Sequence, residues 1–132
     1  MSDFRPRDAR VFRPYPDEVP WDLLLEAGAE EDVLRDVLEL NLLRVAKHEG
    51  RVLGAYGIRP RGATCYELVA LVVAGAWRRK GLGRWLLGHA IGLAETKGGR
   101  EVVTADTTGE RFLTRMGFEP HGQGLRLVLT PE

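Results

Sequence analysis

An apolar run suited to a strand, Glu67-Leu-Val-Ala-Leu-Val-Val73, passes through a short link into Arg78-Arg-Lys-Gly-Leu-Gly83. That basic segment opens at once into an amphipathic helical pattern beginning Arg84-Trp-Leu-Leu87. No other stretch of the chain restricts its fold as much. A helix start presents backbone N–H groups that no earlier turn can pair, together with the positive end of the helix dipole. Such an end favours an anion. Gly81 and Gly83 keep side chains away from those amides, and Arg78, Arg79 and Lys80 add positive charge. The segment reads as a pyrophosphate cradle.

Spacing narrows the choice of phosphate ligand. The dinucleotide fingerprint needs a third glycine where Leu86 stands, and the Walker pattern needs Gly-Lys followed by Ser or Thr, a triplet absent here. The spacing that remains is Arg-x-x-Gly-x-Gly, a few residues beyond a valine that ends a strand.

The rest of the chain is organised around this join. Its 132 residues suit one domain with a single substantial core. Nineteen basic and nineteen acidic side chains cancel, so no general affinity for nucleic acid or an anionic membrane is expected. Cys65 is the only cysteine, which excludes an internal disulfide and suits a reducing compartment. The longest apolar run, Leu68 to Trp77, has ten residues, and a membrane helix needs about 20. The N-terminus has no apolar signal core. A soluble, cytoplasmic protein is expected. His48, His89 and His121 lie too far apart to suggest a metal site.

Four prolines in the first twenty residues predict an irregular start, poorly ordered over residues 1–9, with a short strand near Arg10 to Arg13. Apolar residues at three- and four-residue steps predict helix from Trp21 to about Leu40, split in two by Gly28. Strands follow at Leu42 to Lys47 and Arg51 to Arg59, joined by a turn at His48-Glu49-Gly50. Pro60-Arg61-Gly62 turns the chain into a third strand, Cys65 to Val73. Helix is predicted over Gly83 to Lys97, strand over Arg100 to Ala105, a short helix over Glu110 to Met116 and a last strand over Gly124 to Thr130. Hairpins followed by strand-helix-strand give an α+β fold: one domain over residues 1–132, with a mixed β-sheet and helices on both its faces. Phe112 and Phe118 are expected in the core, Trp77 under the basic loop, and Trp85, Leu86, His89, Ala90 and Leu93 on a buried helical stripe.

The stretch Val73-Ala-Gly-Ala-Trp-Arg-Arg-Lys-Gly-Leu-Gly83 resembles the acetyl-CoA loop of the GNAT N-acetyltransferase superfamily. The resemblance runs from about Arg10 to Leu129, with specific motifs only from Glu67 to Phe118. It implies an acetyl-CoA-dependent acetyl transfer to a primary amine. By this resemblance the diphosphate sits on Arg78, Arg79, Lys80, Gly81, Leu82, Gly83 and Arg84. The pantetheine arm lies along the backbone of Leu71, Val72 and Val73, and the N–H near Val73 faces the thioester oxygen. Glu67, eleven residues before Arg78, matches the position of a glutamate base. It has a second reading, as an edge carboxylate paired with a nearby arginine. Asp106 stands where many relatives carry an asparagine that contacts the cofactor arm, and it could equally cap the following helix. One departure concerns the acid. The family pattern places a tyrosine four residues before the glycine of Gly117-Phe118, and here that residue is Leu113. Water, Thr108 or Thr114 would then complete the proton transfer. A non-catalytic acetyl-CoA-binding regulator of a partner protein is the competing function.

The acceptor is sought in the charge map. Between Asp17 and Asn41 stand nine acids (Asp17, Glu18, Asp22, Glu26, Glu30, Glu31, Asp32, Asp36 and Glu39) against Arg35 alone. In relatives these helices line the acceptor side, so a negative wall favours a cationic small-molecule or peptide amine. A solvated helical face explains the same acids. The sequence does not decide between a monomer and a homodimer.

Overall fold

The computed structural model describes residues 4–105 and 109–129. Strand β1 (Arg10–Phe12) is followed by helices α1 (Trp21–Glu26) and α2 (Glu31–Glu39), then strands β2 (Leu43–His48), β3 (Arg51–Pro60) and β4 (Cys65–Val73). Helix α3 (Leu82–Thr96), β5 (Glu101–Thr104), α4 (Glu110–Arg115), β6 (Glu119–His121) and β7 (Gly124–Val128) follow among the described residues. The seven strands form one mixed sheet in the order β1-β2-β3-β4-β5-β7-β6. Only β4 and β5 are parallel.

The local reasons are legible. Glu49 and Gly50 both take positive φ, the pair of left-handed residues that a tight two-residue hairpin requires. Gly28, at φ +98°, ends α1 and lets α2 start a few residues later. Helix α2 buries Leu34 and Val37 completely and leaves its acids in solvent. Helix α3 buries Leu82, Leu86, Leu87, Ala90 and Ala94.

Two glycines of β3 show which helices cover which face. A Cβ on Gly54 would meet Leu86 of α3 at 2.9 Å, whereas one on Gly57 would meet Val37 of α2 at 3.2 Å. Three residues apart on a strand, they face opposite sides. Helix α3 therefore covers one face, and α1 and α2 the other.

Several boundaries differ from the sequence reading. Pro60 pairs with Tyr66 inside the hairpin, so the turn begins at Arg61. The last strand ends at Val128, and the short strand β6 was not foreseen. Residues 6–8 form a 3-10 turn, Ala9 is buried, and Phe4 packs edge-on against Trp77 and His48 at 4.9 and 5.1 Å between ring centres. His89 lies at the outer edge of α3 and meets Tyr56 through a hydrogen bond from below rather than joining a buried stripe.

Candidate active site

Strand β4 carries an irregularity where the chemistry is expected. Its partners on β3 step from Gly57↔Ala70 to Ile58↔Leu68, so Val69 is an extra residue, a β-bulge. On its other side β4 pairs with β5 only from Cys65 to Glu67. Strand β5 pairs with β7 along its far edge, and among the described residues no strand borders this edge of β4 from Leu68 to Val73. The sheet splits there into a V.

Backbone alternation shows what the split exposes. Ala74 donates its N–H to Leu53 on β3, so the amide and carbonyl of Val73 point the other way, into the gap. The Val73 carbonyl is capped there by the Arg78 Nε–H at 3.0 Å. Leu71, two residues back, also faces the gap.

The basic segment begins where the strand stops. Arg79 and Gly81 take positive φ, of 63° and 80°. Helix α3 has no side-chain cap at Gly81, and its first bond into that residue comes from Trp85. From Arg79 to Arg84 no backbone amide has a protein partner among the described residues. Its first turn contains no acid and carries Arg84, the wrong sign for a helix start left to itself. A run of uncapped amides, a dipole end and exposed Arg78, Arg79, Lys80 and Arg84 together fit a diphosphate. Leu82 could offer only its backbone to such a ligand, because its side chain is 1 % exposed.

A cleft of about 380 Å³ lies between β4, the loop joining α1 to α2, and the start of α4. Leu71 and Val72 line it, and Val73 does not. Glu67 points into it from β4 and is only 6 % exposed. The pairing with an arginine is present, although the carboxylate is buried in the cleft and not at a solvent-facing edge. Its Oε1 accepts from Arg59 Nε at 3.1 Å and lies 3.3 Å from Arg61 Nη1. Oε2 accepts no hydrogen bond from the described residues, and no fully buried side-chain oxygen lacks a partner, so Oε2 is open to the cleft. Arg59 was missed in the sequence, although a signal existed. A loop from Arg61 to Thr64 fixes the hairpin register so that Arg59 faces Glu67.

Two aromatic expectations separate. Phe118 is core, 1 % exposed. Phe112 is half-buried and lines the cleft, with its ring edge beside Gly83. It was expected in the core because an apolar side chain in a short helix gives no sign of which wall it forms. Leu113 is buried at the cleft floor. Asp106 and Thr108 lie outside the described residues, and Thr114 is exposed and not part of the cleft lining. Of the nine acids from Asp17 to Glu39, only Glu30 lines the cleft. Among the described residues no group of three or more His, Cys, Asp or Glu could hold a metal ion, and no helix is long and apolar enough to cross a membrane.

Comparison with known proteins agrees with this geometry. The model of the acetyltransferase (GNAT) family matches residues 4–118. A search of curated protein sequences returns no match. Among solved structures, a GNAT family acetyltransferase from Elizabethkingia anophelis with acetyl-CoA bound superposes with a TM-score of 0.74 at 24% identity, over 87% of this chain and 78% of that one. The IAA acetyltransferase from Bacillus cereus gives 0.75 at 22% identity, over 92% and 98%. The N-acetylglutamate synthase from Neisseria gonorrhoeae, complexed with coenzyme A and N-acetyl-glutamate, gives 0.77 at 18% identity, over 92% of this chain and 34% of that one.

Proposed function

Because this chain belongs to the acetyltransferase (GNAT) family, we propose that it moves an acetyl group from acetyl-CoA to a primary amine. The observation that carries the proposal is the juxtaposition of an unpartnered β4 edge with the uncapped N-terminus of α3. Acetyl-CoA supplies the acetyl group as a thioester, whose sulfur is a fair leaving group because a thiol is acidic compared with an amine. The diphosphate would be held by the amides from Arg79 to Arg84, with Arg78, Arg79, Lys80 and Arg84 adding charge.

The chain's own groups supply the rest. An N–H on the open edge of β4 is a fixed donor for charge developing on the thioester oxygen, worth about 3 kcal/mol in comparable acyl-transfer sites. Of the two candidates, the lining favours Leu71 over Val73, since Leu71 borders the cleft and Val73 lies beyond it beside Arg78. Glu67 Oε2 would take the proton that the attacking nitrogen loses as its bond to the acetyl carbon forms. An alkyl ammonium has a pKa near 10, so at neutral pH the free amine is roughly 4 kcal/mol less populated than its cation. A base in the cleft relieves that cost. Leu113 cannot return a proton to the sulfur, so solvent does.

Asp106 remains a candidate for contact with the cofactor arm. The burial of Leu113 in the cleft favours a second reading, an acetyl-CoA-binding regulator without turnover. Thiol release from acetyl-CoA across a panel of amines separates the two. Release with at least one amine supports the transferase. Saturable coenzyme A binding with no release from any amine supports the regulator.

A further inference from the structure

The cleft holds an ion pair of its own beneath the acid-rich helices. Glu67 is compensated twice, by Arg59 and by Arg61, both on Oε1. Among the described residues Glu30 is the one other acid in the lining, at the rim formed by the start of α2. Arg61 lies outside the lining, so among the described residues the cleft is bordered by the Arg59 guanidinium and the carboxylates of Glu67 and Glu30. Arg59 is the guanidinium that borders the cleft itself, with its side chain 28% exposed. It uses Nε–H on Glu67, and its terminal nitrogens donate no hydrogen bond within the described residues. A planar fork of N–H donors on a half-buried arginine, opening into a cleft, matches an acceptor with two coplanar oxygens.

We propose that the acceptor bears a carboxylate close to its amine, as a free amino acid does, and that the terminal nitrogens of Arg59 bind that carboxylate while the amine lies at Glu67 Oε2. This rests on the N-acetyltransferase reading and narrows its acceptor to zwitterionic amines. Because Arg59 and Glu67 touch, the two groups they bind must also be neighbours. That geometry suits a small α- or β-amino acid better than the side-chain amine of a peptide lysine, which has no carboxylate nearby. Arg59 is then a specificity-determining residue.

The test uses the full chain and acetyl-CoA, with thiol release as the readout. The acceptors are the proteinogenic amino acids and β-alanine, each beside its carboxamide, and spermidine. The expected result is at least one free amino acid whose kcat/KM exceeds that of its carboxamide by roughly ten- to hundredfold, the worth of a charge-assisted hydrogen-bonded pair. Arg59→Lys keeps a cation beside Glu67 and removes the fork. It is expected to raise KM for the acid more than it lowers kcat and to bring the acid-to-amide ratio towards one. Equal or better turnover of the carboxamides or of spermidine overturns the proposal and leaves the transferase reading standing. An equal loss for acid and amide in Arg59→Lys, with the ratio kept, overturns the role of Arg59. No turnover of any acceptor, with coenzyme A still bound, overturns both readings. If Arg59→Lys does not fold, the comparison of acid with amide in the unaltered chain still decides.

Discussion

Glu67 combines burial, two arginine contacts on one oxygen and an open second oxygen, and each of these makes a different prediction. Glu67→Gln keeps the shape and removes the base, so turnover should fall by about 10²–10⁴. The loss should be largest at low pH, where free amine is scarcest, while coenzyme A affinity stays close to that of the parent. A pH–rate profile of unaltered shape would take Glu67 out of the mechanism. Arg59 and Arg61 reach solvent, so losing their carboxylate partner leaves them hydrated, and a melting curve of the variant separates folding from chemistry. Gly81 makes a second residue-level case. A Cβ there would meet only Pro6 Cγ at 3.7 Å, so space is not the obstacle; the φ of +80° is. Gly81→Val should cost roughly 1–2 kcal/mol in backbone strain or refold the loop, weakening coenzyme A binding either way. Unchanged affinity by calorimetry would contradict the cradle. At this scale the sequence was most informative where a residue broke its local pattern. A glutamate in an apolar strand and two glycines in a basic run both stood out. Arg59 did not, because an arginine near a hairpin turn is ordinary until the register is counted.

Elements with their own apolar pattern were legible, and those held by their neighbours were not. Helix α3 and strands β2 to β4 carry dense buried positions, and their bounds in the structure lie within a residue or so of those expected. Strand β6 is Glu119-Pro120-His121, exposed throughout, and exists only by pairing with β7. No alternation could announce it. The bulge at Val69 is likewise a property of the pairing, since the local sequence Leu68-Val69-Ala70 reads as plain strand. The close approach of β3 to β4 gives an element-scale prediction. A Cβ on Gly54 would collide with the Val72 carbonyl oxygen and stand 2.9 Å from Leu86 Cδ1. Gly54→Ala should therefore destabilise the fold by about 1–3 kcal/mol, seen as a lower Tm. It should also impair coenzyme A binding, because the strand it displaces is the one that borders the gap. A Tm equal to that of the parent would show that β3 and β4 can separate without cost.

Across the whole molecule the two faces of the sheet do different work. The α1 and α2 face holds the cleft, and the α3 face holds the cluster of Tyr56, His89, Arg44 and Trp85. Burial, and then the nearby Arg44 charge, lower the His89 pKa below its ordinary value of 6.5. The unfolded chain then binds more protons than the folded one below that value. The contribution of His89 to stability is complete above pH 6.5 and is lost as pH falls through the lowered folded value. His89→Gln should flatten the decline in denaturation free energy from about pH 7 downwards; an identical slope would remove His89 from it. The fold class and the helices on both sheet faces followed from element order, but the acid-rich helices α1 and α2 do not bring their run of acids into the cleft. Their acids face solvent, and which side of a helix meets a cleft is set by packing rather than composition. The most direct test of the central claim is a thermal melt of the full chain with increasing coenzyme A. At about a hundred times the dissociation constant the stabilisation should reach roughly 2.7 kcal/mol, a rise in Tm of several degrees that Gly81→Val diminishes. A Tm that does not move at millimolar coenzyme A would contradict the account.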